Sequence, residues 1–221
     1  MPRITGWGQS GPLANDVGHD INYLGLTGVL AAIGSPGMPP PPPLNLIGDY
    51  AGGTMFLIAG VLAALHSARA TGSGQVVDAA MTDGVAALSA MFHAFRGSGG
   101  WSDARQDNLL DGGRPYYRCY VCADGRHVAV GAIEPNFHAA LLKGLGLDPD
   151  MHRQGDPATG AIFEHLFLAR TRDEWVAHFA GSDACITPED VAGAVIFLSS
   201  RAGAYVTGAE LVLDGGLTGC A

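Results

Sequence analysis

Three ionisable residues stand where a chain most readily builds a proton-transfer site. His19 and Asp20 open one helical pattern, and Asp49 stands at the N-terminal edge of a second. A helix start leaves backbone N–H groups without intrahelical acceptors and carries partial positive charge. That environment disfavours a cation and favours an anion. An imidazole held there can serve as a neutral base, and a carboxylate can remain ionised. The same N–H groups can hold a developing oxyanion. Two helix starts, each with a proton acceptor, make a workable site only if the fold brings them together. A His in this position can also be a polar cap or a satisfied core residue.

Other reactive types lack a supporting pattern. Cys119 and Cys122 form a C-x-x-C, but on a predicted strand, where their spacing puts the thiols on opposite faces. No second pair completes a zinc site. Cys185 and Cys220 stand alone, so the cysteines read as reduced thiols of a cytoplasmic protein. His66, His93, His127, His138, His152, His165 and His178 show no metal-ligand spacing. Arg114, Arg118 and Arg126 could touch a phosphate, although solvated strand charges are the ordinary reading. Asp78, on a strand–helix edge, reads as a structural hydrogen-bonding residue.

The elements that must position these residues follow from the pattern. Residues 6–18 are broken by Gly and Pro into a loop. A helix is predicted over 20–33, started by Asp20 and stopped by Gly34-Ser35-Pro36-Gly37. Pro39 to Pro43 form a stiff extended connector. The second helix, over 50–70, is apolar on nearly every side, which predicts full burial. A short strand over 74–78 and a third helix over 79–95 complete a first region, residues 1–110.

Strands over 114–123 and 126–132, joined by Asp124-Gly125, and helices over 135–145, 159–169 and 171–180 make a small α+β domain, residues 111–186. In the tail, residues 187–221, Thr187-Pro188-Glu189-Asp190 carries the marks of a helix start: a Thr cap, a Pro at the first helical position and acids in the first turn.

Composition narrows the function classes. The chain has 221 residues, 48% of them hydrophobic, and a net charge of −9 with His neutral. An acidic chain without a Lys/Arg run is a poor nucleic-acid binder. The first residues contain no apolar run of the kind that marks a signal peptide. Residues 51–65 are apolar but short and interrupted by Gly, so no membrane span is expected.

Four segments in order carry a resemblance. They are Gly6-Trp7-Gly8-Gln9-Ser10-Gly11-Pro12, Gly18-His19-Asp20-Ile21-Asn22-Tyr23, Gly48-Asp49-Tyr50-Ala51-Gly52-Gly53 and Gly131-Ala132-Ile133-Glu134-Pro135. Residues 3–186 thereby resemble the α-methylacyl-CoA racemases of the family III CoA-transferase superfamily. The resemblance implies an α/β fold: part of a Rossmann-like large domain plus a small α+β domain. It implies a two-base 1,1-proton transfer through an enolate on a 2-methylacyl-CoA thioester. His19 and Asp49 match the two proton-transfer groups, and Glu134 matches the residue that orients the His. The backbone N–H of Asp20 is implied near the enolate oxygen, and Tyr23 in the substrate pocket. No cofactor is implied, since CoA is part of the substrate; an interlocked homodimer is. Within the superfamily, CoA-transferases use an aspartate nucleophile, for which Asp20 is the matching position, but they carry an aromatic residue where this chain has His19.

The chain departs from that family at both ends. It is expected to lack the long N-terminal segment that holds the CoA phosphates, and so to turn over weakly or not at all. A non-catalytic fragment that pairs with a full-length homologue is the alternative. Residues 187–221 resemble the last helix and strand of short-chain dehydrogenases. That family's Gly-rich nucleotide loop and Tyr-x-x-x-Lys motif are absent, and Lys143 is the only lysine. The segment therefore reads as a foreign helix–strand tail.

Overall fold

The computed structural model describes residues 1–156 and 158–188. Contacts divide the chain into two units after Asn108. In the first, strand β1 (Pro2–Thr5) pairs in parallel with β2 (Val77–Ala80), from Pro2 opposite Val77 to Thr5 opposite Ala80. Parallel strands need a long crossover. Here it comprises helix α1 (Asp20–Thr27), a 3₁₀ turn (Leu30–Ala32), a π-helix (Leu46–Met55) and α2 (Phe56–Thr71). Helices α3 (Met81–Leu88) and α4 (Ala90–Gly97) follow β2.

Several boundaries differ from the sequence reading. α1 stops at Thr27 because Gly28 adopts φ 83°, a left-handed cap that returns its N–H to the Gly25 carbonyl. The third helix is two helices, broken at Ser89, whose hydroxyl bonds back to the Val85 carbonyl at 2.8 Å. The strand reading began too early, since β2 starts at Val77.

The largest correction concerns α2, where full burial was predicted. None of its residues is buried, and Leu62 is 63% exposed. Apolar composition states what a helix tends to bury, and cannot name the surface that covers it. α2 packs on β1 and β2 with one side and leaves Phe56, Ile58, Leu62 and Leu65 exposed. Helical structure also runs continuously over Leu46–Thr71, so the apolar segment is longer than residues 51–65. By length and composition it could cross a membrane.

Among the described residues, the second unit holds a three-stranded antiparallel sheet in the order β3 (Tyr117–Val121), β4 (His127–Gly131), β5 (Ile186–Pro188). The Asp124-Gly125 turn joins β3 to β4, with Gly125 at φ 75°. Thr187 and Pro188 are therefore strand, not a helix start: they pair with Ala129 and Val128. An edge strand tolerates a proline. The rest of the predicted tail helix and strand lies outside the described residues.

Helices α5 (Pro135–Gly144), α6 (Ala158–Phe167) and α7 (Arg172–Phe179) cover the sheet. Its core joins Tyr120, Val128, Leu141, Leu142, Phe163 and Phe167. Tyr120 stacks on Phe167 with ring centroids 4.7 Å apart, and the Trp175 indole donates to the Phe167 carbonyl at 2.9 Å.

His138 is 6% exposed in this unit, edge-on to Tyr116. Burial holds its pKa below the ordinary value. The unfolded chain then binds a proton that the folded chain refuses. Stability contributed by neutral His138 is present above the unfolded pKa, near 6.5, and is lost as pH falls through that range. In chemical denaturation from pH 7.5 to 5.0, His138→Gln is expected to flatten the decline. An unchanged slope would remove His138 as its cause.

Candidate functional site

One carboxylate joins the two helical segments that carry the candidate site residues of the first unit. His19 is extended, at φ −132° and ψ 170°, and ends the loop. Its N–H donates to Asn22 Oδ1 at 3.0 Å, and its carbonyl accepts from the Asn22 N–H at 2.8 Å. An amide side chain reaching back to the cap backbone fixes where a helix begins. The cap is therefore His19, whereas the sequence pattern gave that task to Asp20. The His19 side chain is exposed.

Asp20 is the first helical residue, and its side chain leaves its own helix. It is 5% exposed. Its Oδ2 accepts from the Gly48 N–H at 2.7 Å and from the Asp49 N–H at 2.8 Å. Backbone bonds to a carboxylate are charge-assisted and short. They join the start of α1 to the first turn of the π-helix. A carboxylate so enclosed is poorly placed to attack a thioester carbon, which weighs against Asp20 as a transferase nucleophile.

Gly48 makes the clasp possible. A Cβ there would lie 2.6 Å from Asp20 Oδ2 and 3.0 Å from its Cγ. Gly48→Ala is therefore expected to displace the carboxylate and destabilise the first unit by about 1–3 kcal/mol. Thermal melting of the two proteins side by side checks this, and equal midpoints would show that the clasp accommodates a methyl group.

Asp49 is half-buried in the first turn of the π-helix. Its Oδ2 accepts from Asn45 Nδ2 at 3.2 Å, and its carbonyl accepts from the Thr54 hydroxyl at 2.9 Å. Wide i→i+5 turns are rare and tend to occur at functional sites. Here the wide segment carries Asp49 and passes directly into α2.

Tyr23, one turn along α1 from His19, is 7% exposed. Its ring stands edge-on to Trp7, with centroids 4.7 Å apart, and the Trp7 indole donates to the Asp16 carbonyl. The ring also lies directly over Gly6 and Gly18, where any side chain would collide with it. This accounts for glycine at both positions of the two N-terminal motifs. Burial raises the pKa of the Tyr23 hydroxyl, and the charges of Asp49 and Asp20 raise it further. Tyr23 is thus a protonated phenol close to both carboxylates.

The structure therefore brings Asp20, Tyr23 and Asp49 together, with His19 adjacent to Asp20 in the chain. Glu134 belongs to the second unit. It caps α5 with extended backbone, at φ −71° and ψ 145°, ahead of Pro135, and its side chain is exposed. Among the described residues no group of three or more His, Cys, Asp or Glu could hold a metal ion. Cys119 is exposed and Cys122 buried. Arg118 pairs with Glu164 at 3.2 Å, and Arg126 with Asp173 at 3.5 Å.

Sequence reasoning missed Asn22, Asn45 and Trp7. The first carried a signal: an amide three residues after a cap is the spacing of a capping box. The other two depend on the loop path and on the π-helix.

Comparison with known proteins places these residues in context. The family model described as CoA-transferase family III matches residues 1–197, and so extends past residue 187, where the sequence pattern places the start of a foreign tail. The chain is 46% identical over 191 residues to the α-methylacyl-CoA racemase of Mus musculus, covering 84% of this chain and 50% of that protein. It is 45% identical to the human α-methylacyl-CoA racemase over the same length and coverage. The chain thus spans about half the length of the curated relatives it matches. A crystal structure of a CAIB/BAIF family protein from Brucella suis superposes with a TM-score of 0.68 at 24% identity, covering 92% of this chain and 55% of that one. At that identity the likeness is one of fold.

Proposed function

The chain belongs to CoA-transferase family III, and on that premise we propose that it moves the α-proton of a 2-methylacyl-CoA thioester between the two faces of its C2 carbon. His19 and Asp49 are the two proton-transfer groups. Each removes the proton from one face, and its conjugate acid returns one to that face in the reverse direction. Glu134 is the residue that the resemblance to the racemases matches to the one orienting the His. The first N–H groups of α1, that of Asp20 foremost, receive the enolate oxygen, and Tyr23 lines the substrate pocket.

The observation that supports this reading is the Asp20 clasp. Its two bonds join the helix start that follows His19 to the turn that carries Asp49. The chemistry needs that proximity. A thioester α-proton is only weakly acidic, and general base catalysis contributes about 10²–10⁴-fold. An oriented oxyanion donor adds roughly 10²–10³-fold. Two acceptors on opposite faces give inversion, whereas one acceptor tends to return the proton where it came from. The chemistry calls for no resident cofactor beyond the CoA of the substrate. We further propose a cytoplasmic homodimer, in which a second copy would cover the exposed apolar side of α2.

Incubating the full chain with a 2-methylacyl-CoA in D₂O, without any acceptor acid, tests the reading. Slow deuterium uptake at C2 is expected. Transfer of CoA between acids, with no deuterium at C2, would replace racemisation by CoA transfer.

A further inference from the structure

We propose that the Asp20 carboxylate is a positioning residue for Asp49, a role separate from that of the Asp20 backbone at the enolate oxygen. The inference rests on the proton-transfer reading above and deepens it. Asp20 Oδ2 holds the N–H of Asp49 itself at 2.8 Å and that of the preceding Gly48 at 2.7 Å. Two bonds to successive amides fix both the position and the rotation of that turn. The Asp49 side chain departs from the backbone atom next to the held nitrogen, so its direction is set by the clasp. The π-helix makes such a fixture useful, because its wide turns bond i→i+5 and leave the first amides without a nearby intrahelical acceptor.

A second observation separates this role from ordinary stabilisation. Asp20 Oδ1 is buried and finds no hydrogen-bond partner among the described residues. A buried carboxylate with an unpaired oxygen is costly for folding. If stability alone were at stake, a neutral acceptor would serve better at this position. The geometry asks for one oxygen held at a fixed point between α1 and the π-helix. Only a residue as short as Asp or Asn on the first turn of α1 presents one there. Gly48 is shaped to the same requirement, since a Cβ would meet that oxygen at 2.6 Å.

The experiment compares the parent chain, Asp20→Ala and Asp20→Asn by two measurements. The first is amide hydrogen exchange of Gly48 and Asp49 by NMR, which requires no catalysis. In Asp20→Ala these two amides are expected to lose about ten- to a hundredfold of their protection, while Val128 and Leu141 in the second unit keep theirs. The second is deuterium uptake at C2 of a 2-methylacyl-CoA. In Asp20→Ala it is expected to fall at least tenfold in kcat with KM within about twofold, since an interaction that aligns a reacting group acts mainly in the transition state. Asn retains the acceptor oxygen, so Asp20→Asn is expected to recover most of both losses. A merely structural role for the carboxylate would instead lower the folded fraction and melting temperature of Asp20→Ala and leave kcat of the folded protein at the parent level.

Protection of Gly48 and Asp49 retained in Asp20→Ala would overturn the proposal. So would amides freed while uptake stays at the parent level, or an Asn variant as impaired as Ala. If Asp20→Ala does not fold, Asp20→Asn decides by the same two readouts. Loss of amide protection together with no uptake by the parent chain would support the clasp and overturn the proton-transfer reading instead.

Discussion

Replacing His19 with Gln is expected to lower deuterium uptake at C2 by about 10²–10⁴-fold for the 2-methylacyl-CoA enantiomer whose α-proton faces His19, the usual contribution of a positioned general base. The fold should survive. The His19 side chain is exposed, and the bonds that set the start of α1 are made by its backbone: N–H to Asn22 Oδ1 at 3.0 Å and carbonyl to the Asn22 N–H. Gln leaves both in place, and an exposed substitution of this kind usually costs within about 0.5 kcal/mol. The loss should therefore appear in kcat, with an unchanged melting temperature. NMR of the substrate methine measures the uptake, and circular dichroism checks the fold. Uptake by that enantiomer within twofold of the parent would remove His19 from the reaction.

Asp49→Asn should produce a different defect of similar size. Its backbone N–H still reaches Asp20 Oδ2, and its side-chain oxygen can still accept from Asn45, so the turn is retained. What disappears is a group able to give and take a proton. With His19 as the remaining base, a proton can leave and return on one face only. Inversion is expected to fall by about 10²–10⁴-fold. Exchange without inversion should persist for the enantiomer whose proton faces His19. Chiral chromatography of the hydrolysed acid, combined with mass spectrometry for deuterium, reads both quantities. Inversion at the parent rate would mean that Asp49 is not the second acid–base group.

Much of the second unit was legible from its sequence. The Asp124-Gly125 turn and the alternating strands around it gave the hairpin, and Glu134-Pro135 gave the start of α5. These are local features, decided by turn and cap chemistry within a few residues. In the first unit, the pattern found the start of α1 at His19 and Asp20, but it began the second helix at Tyr50, whereas helical structure starts at Leu46 and carries Asp49 in its first turn. Two non-local facts escaped it. The Asp20 side chain reaches across 28 residues to Gly48 instead of capping its own helix, a contact that only the crossover path creates. The Leu46–Met55 segment widens into a π-helix, which apolar periodicity cannot distinguish from an α-helix.

The exposure of α2 and the strand at Thr187 and Pro188 failed for a related reason. The cap residues at Thr187 and Pro188 favour a helix start locally, but pairing with β4 makes them strand instead. For α2, composition described a surface that seeks cover, and the described residues of the chain supply it on one side only. The site was thus visible as a set of residue types at helix starts, while the clasp that unites them was visible only in three dimensions.

The most direct measurement starts from a single enantiomer of a 2-methylacyl-CoA in D₂O with the full 221-residue chain. Configuration and isotope content at C2 are then followed together. The expected result is inverted product that carries deuterium at C2, formed without an acceptor acid and lost in both His19→Gln and Asp49→Asn. Deuterium confined to substrate of unchanged configuration, or inversion that survives both substitutions, would contradict a two-base transfer by His19 and Asp49.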